Sequence, residues 1–230
     1  QIELWAHSAR ICKKITDRTR IQTDSIYKAI YGGNNQTSIE VEEENEDNAE
    51  SKLLEIIPIK SNEYIDEKAL IIIHEAHLVN RSLNQSELLR FGSGRLLEDI
   101  FKFLNLKKNN RKVICIGDPY SLSFGKNEDA AINTNTLSEL FESGIKHYRN
   151  PIEVTKTNGI SNMRYSIANS IENTLFNQLH YNWNEDNLIQ ISKPEIGNKL
   201  KLWFCQSMHS EPKEAVLMYS KKDAKTTNLW

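Results

Sequence analysis

The chain has 230 residues, 39% of them hydrophobic and 26% charged, with 29 Lys+Arg set against 31 Asp+Glu. That apolar content allows a sizeable core and excludes global disorder, while the formal charge of -2 excludes a protein that coats nucleic acid by bulk charge but not one with a local basic face. The longest aliphatic run, Ala69-Leu70-Ile71-Ile72-Ile73, is far shorter than the about 20 residues a membrane span requires.

In chain order, Ile2 to Ala6 alternates as a strand does. Ser8 offers an N-cap for a helix over Ala9 to Thr19, with Ile11, Cys12 and Ile15 on one face. The other face carries Arg10, Lys13, Lys14, Arg18 and, just beyond, Arg20. A short helix fits Ser25 to Tyr31, closed by Gly32-Gly33. Between Glu40 and Glu50 seven of eleven residues are acidic and none is basic, the composition of a solvated loop. Leu53 to Ile59 predicts a strand. Ala69 to Ile73 and Val113 to Ile116 are continuous apolar runs suited to central strands of a parallel sheet covered on both faces. Leu96 to Leu104 between them is an amphipathic helix, and Thr136 to Phe141 starts another. Met163 to Leu179 reads as a helix with Ile167, Ile171 and Leu175 four apart, and Leu200 to Phe204 and Ala215 to Tyr219 as the last strands. Strands alternating with helices make an α/β chain whose ligands are expected at the carboxyl ends of its strands. Cys12, Cys115 and Cys205 are odd in number, far apart and without a CxxC pair, and Gln1-Ile2-Glu3-Leu4-Trp5 has no basic leader; both suit free thiols in a cytoplasmic chain with no membrane partner.

Chemistry concentrates where two apolar strands stop. Ile71-Ile72-Ile73-His74-Glu75-Ala76-His77 places a carboxylate at the edge of the sheet, where it can orient a water or neighbour a magnesium ion. Val113-Ile114-Cys115-Ile116-Gly117-Asp118-Pro119 repeats the pattern about forty residues later. His74 and His77 are three apart after a strand, not four apart on a helix, so the zinc-protease pattern HExxH is not met, and His77 is expected as a polar residue capping the next segment. Asp118 beside Pro119 is equally good turn chemistry.

These segments resemble superfamily 1 helicases, most closely the RecD-like branch. Leu4-Trp5-Ala6-His7-Ser8-Ala9-Arg10-Ile11-Cys12-Lys13-Lys14-Ile15 is similar to motif Ia, which contacts single-stranded nucleic acid, and Thr23-Asp24-Ser25-Ile26-Tyr27 to the segment after it. Residues 71–77 resemble motif II, the Walker B element, and Ile116-Gly117-Asp118-Pro119-Tyr120-Ser121-Leu122 resembles motif III. Phe91-Gly92-Ser93-Gly94-Arg95-Leu96-Leu97 is similar to a loop and helix between those motifs, and residues 215–224 to the opening of a second RecA-like domain. Arg149 and Arg164 both partly fit the arginine of motif IV.

The resemblance implies a RecA-like parallel sheet over 1–150, a helical connector over 151–198 and the start of a second RecA-like domain over 199–230. It implies a motor driven by ATP and Mg2+ along single-stranded DNA or RNA. In that role Glu75 orients the water, Asp118 and Ser121 couple the γ-phosphate to motion, Arg149 or Arg164 steadies transition-state charge, and Ser8, Arg10, Lys13 and Lys14 bind the nucleic acid. The chain departs from the pattern in three places. It holds no GxxxxGK(S/T) loop, His74 replaces the aspartate that holds magnesium, and Ser121 replaces a glutamine. The chain alone is therefore expected not to hydrolyse ATP or to hold Mg2+ tightly. It is either a fragment of a motor beginning at motif Ia or a degenerate, non-catalytic module that binds nucleic acid or a protein partner.

Overall fold

A computed structural model describes residues 1–32, 37–42, 51–86, 88–141, 144–149, 159–175, 177 and 190–207. The chain divides into two compact units, Gln1–Arg149 and Asn150–Trp230.

The first unit is α/β. Strands β1 (Ile2–Ala6), β2 (Thr23–Ser25), β5 (Leu70–His74) and β7 (Lys112–Ile116) form a four-stranded sheet in the order β2-β1-β5-β7, parallel throughout. Helices α1 (Ala9–Thr19), α2 (Ile26–Ile30), α3 (Leu96–Leu104) and α4 (Thr134–Leu140) flank it. A second sheet, β3 (Thr37–Glu42), β4 (Ser51–Ile57) and β6 (Leu89–Phe91), pairs β3 with β4 antiparallel and β4 with β6 parallel.

Alternation along β1 and β5 aims Trp5, Ile71 and Ile73 at one face, where each is at most 1% exposed. Ile26 and Ile30 of α2 and Leu97, Ile100, Phe103 and Leu104 of α3 complete that core. Burial of this apolar surface is the main force holding α3 on the sheet. The last turn of α3 gains a second anchor from Arg111. Its buried guanidinium donates to the Leu104 carbonyl at 2.9 Å, to Asp66 O at 3.0 Å and to Ile65 O, placing a cation at the negative end of the helix.

The other face is bare near β7. Among the described residues Val113–Ile116 is not a central strand covered on both faces: β7 is a sheet edge, and Ile114 and Ile116 are 44% and 49% exposed. Apolar composition alone cannot tell a strand with two neighbours from one with a neighbour missing. The acidic run is likewise not all loop. Glu40, Val41 and Glu42 pair with Leu53, Lys52 and Ser51, whereas 43–50 lie outside the described residues.

In the second unit α5 (Gly159–Glu172) starts before Met163 and stops at Glu172, with Thr174 in the left-handed region at φ 57°. The expected strand at Leu200–Phe204 is instead part of helix α6 (Ile196–Ser207). A capping box decides the matter: Ser192 N and Oγ both bond Glu195 Oε2, at 3.0 and 2.6 Å, and Pro194 stands at the start of the turn. Those bonds hold the Glu195 carboxyl below its usual range. Ala215–Tyr219 lies outside the described residues, as does most of the expected second RecA-like domain. Among the described residues no helix is long and apolar enough to cross a membrane.

Candidate nucleic-acid interface

The register of the parallel sheet assembles the site. Ala6 pairs with His74 and His74 with Ile116, so three strands far apart in sequence finish side by side. His7 and Ser8, Glu75, and Gly117 and Asp118 therefore emerge at one edge, the carboxyl end of the sheet.

From β1 the chain turns directly into α1. Ser8 is extended (φ -127°, ψ 149°), and its Oγ accepts from Ile11 N at 3.4 Å, a long N-cap bond. The first turn contains no acidic residue, so no side chain of that turn neutralises the positive end of the helix. Cys12, the buried side chain of α1, lies against the Ala6 carbonyl and turns the helix so that Arg10, Lys13 and Lys14 stand exposed. A helix N-terminus beside exposed cations is a fitting receptor for a phosphate backbone.

At the end of β5, Glu75 adopts φ 58°, ψ 42°, a left-handed conformation uncommon outside glycine. Its carboxylate lies between two imidazoles, 3.2 Å from His77 Nε2 and 3.6 Å from His74 Nδ1. His77 is 4% exposed, so it is a buried partner of Glu75 and not the capping residue anticipated. Among the described residues its Nδ1 has no hydrogen-bond partner, and it faces Gly117, where an added Cβ would approach His77 N to 3.0 Å and Nδ1 to 3.2 Å. Glycine at 117 is what lets the end of β7 pass this close to His77. Burial, with His77 nearby, holds the His7 imidazole below its ordinary value. His7 also stacks edge-on against Tyr27, ring centroids 5.5 Å apart.

After β7 the Asp118 carboxylate accepts from Tyr120 N at 3.0 Å, and Ser121 N donates to Asp118 O at 3.1 Å, forming a tight turn. Asp118 and Ser121 are thus brought together by one turn. Arg149 donates to the Tyr120 hydroxyl at 2.5 Å, which attaches it to the same loop. Arg164 lies on α5, in the second unit. Sequence reasoning named His7, His77 and Gly117 within their segments but missed their proximity, because only strand register brings them together.

These residues do not fit a magnesium-bound nucleotide. The carboxylate at the end of β5 is Glu75, and it is already paired with His77. An imidazole at 74 offers no anionic oxygen to a hard cation. Among the described residues no group of three His, Cys, Asp or Glu side chains is arranged to hold a metal ion. No family model, curated protein or solved structure matches the chain.

Proposed function

We propose that this chain is a helicase-like domain of the superfamily 1, RecD-like type, with a RecA-like sheet, and that its own residues bind single-stranded DNA or RNA at the N-terminal end of α1. The observation that carries the reading is the in-register end of β1, β5 and β7, which sets the residues resembling motifs Ia, II and III along one edge. In a complete motor of this kind, ATP with Mg2+ would supply the energy for translocation. Among the described residues β7 is a sheet edge with Ile114 and Ile116 exposed, which a RecA-like reading of the sheet accommodates as the place of a further strand.

The part assigned to this chain is the grip on the strand. Phosphates meet the N-terminus of α1, whose first turn carries no acidic residue, and the exposed Arg10, Lys13 and Lys14, and Ser8 holds the helix start in place. The non-catalytic reading, a degenerate module, is favoured by one specific observation: the Glu75 carboxylate is bound to His77 and flanked by His74.

Fluorescence anisotropy with a labelled single-stranded oligonucleotide tests this reading. Weak binding at low salt that fades as salt rises is expected, and absence of signal at high micromolar protein refutes it. On the catalytic side, ATP turnover stimulated by nucleic acid is expected neither for the wild type nor for His74→Asp. A motor-like rate in the wild-type chain would overturn the degenerate reading.

A further inference from the structure

We infer that a small aromatic pocket beside the N-terminus of α1 receives a single nucleobase from the bound strand. The proposal rests on the nucleic-acid reading above and adds to it a place where a base, not a phosphate, is held. The pocket encloses about 180 Å³ and is walled by Tyr27, Tyr31 and Phe91. Pockets for drug-sized ligands begin near about 300 Å³, so this one suits one ring system and not a whole nucleotide.

The three rings form a mutually supported wall, with centroids 5.1 Å apart for Tyr27–Phe91, 5.3 Å for Tyr31–Phe91 and 5.8 Å for Tyr27–Tyr31. Tyr31 is fixed from behind, its hydroxyl donating to the buried Asp99 carboxylate at 2.7 Å. Gly94, at φ 80°, lines the pocket without a side chain; a Cβ there would strike Leu83 at 2.6 Å. The exposed Asn84 side chain lines the rim beside Tyr27. An amide carries a carbonyl acceptor and two N–H donors, the groups that read the edge of a base.

Two facts select a nucleobase over other flat ligands. Tyr27 touches His7, the residue immediately before the N-cap of α1, so the pocket adjoins the phosphate-binding end of that helix. Exposed Arg10, Lys13 and Lys14 are on the same helix. A cationic track beside an aromatic wall is the arrangement that binds single strands by backbone charge and base stacking together.

The test compares a labelled 12-mer oligothymidylate with a 12-mer of the same charge whose sugars are abasic. Wild-type protein is expected to bind the abasic strand about tenfold more weakly, the loss of one stacked base. Tyr27→Leu, which keeps an apolar filling, and the exposed-site variant Asn84→Ala should each narrow that difference. In a second measurement that requires no variant, 5-iodouracil in the strand should photocross-link to Tyr27 or Phe91, as read by mass spectrometry. Equal affinity for the two strands, with cross-links elsewhere, overturns the pocket while leaving phosphate binding at α1 intact. Failure of both strands to bind overturns the pocket and the proposed function together.

Discussion

Helices α1 and α3 show how the same secondary structure serves two ends. Over 9 residues α3 buries Leu96, Leu97, Asp99, Ile100, Phe103 and Leu104, while α1, at 11 residues, buries Cys12 alone. One lays a broad apolar face, with Asp99 beside it, into the core. The other is held by a narrow seam and turns its cations to solvent. The difference teaches where stability and binding reside: α3 secures the sheet, and α1 is free to change its surface chemistry at little cost to the fold.

The largest expected effect comes from breaking α3. Ile100→Ala removes a fully buried side chain and should destabilise the protein by about 2–5 kcal/mol, read as a lower urea midpoint. In α1 the corresponding effects are small. Ser8→Ala should cost at most about 1 kcal/mol, toward the low end because the capping bond is long at 3.4 Å. Replacing Arg10, Lys13 and Lys14 together by Gln, a comparable helix former, should change stability by no more than about 0.5 kcal/mol while weakening any bound strand. A drop in stability comparable to Ile100→Ala would erase the contrast between the helices.

A pH series sharpens the picture at the sheet edge. Because burial depresses the His7 pKa in the folded protein, the folded state favours the neutral imidazole more than the unfolded chain does. The resulting stability is fully present above the ordinary value of 6.5 and is lost as pH falls through the lower folded value. Urea midpoints at pH 7.5 and pH 5 should therefore fall further for wild type than for His7→Asn. An identical fall in both would remove His7 from the account.

Local signals were legible and long-range ones were not. The helix Leu96–Leu104 was readable to the residue because its period and the Gly-Ser-Gly turn before it agree. At Leu200–Phe204 alternating leucines suggested a strand, but the Ser192–Glu195 capping box upstream commits the backbone to a turn and then a helix. Whether β7 has one neighbour or two depends on topology, which apolar composition does not encode. The candidate site divides in the same way. Ser8 with Arg10, Lys13 and Lys14 follows from helix period, whereas contact of Glu75 with His77, and of His77 with Gly117, arises only once β5 and β7 pair in register.

The central claim, that α1 grips single-stranded nucleic acid through phosphate contacts, is tested most directly by the salt dependence of binding. Affinity for a labelled single strand would be measured by anisotropy across a salt series, for wild type and for Lys13→Gln/Lys14→Gln. The account predicts a linear fall of log K with log salt and a slope shallower by about 0.7 for each phosphate contact removed. Binding that ignores salt, or a slope that is the same in both proteins, would contradict it.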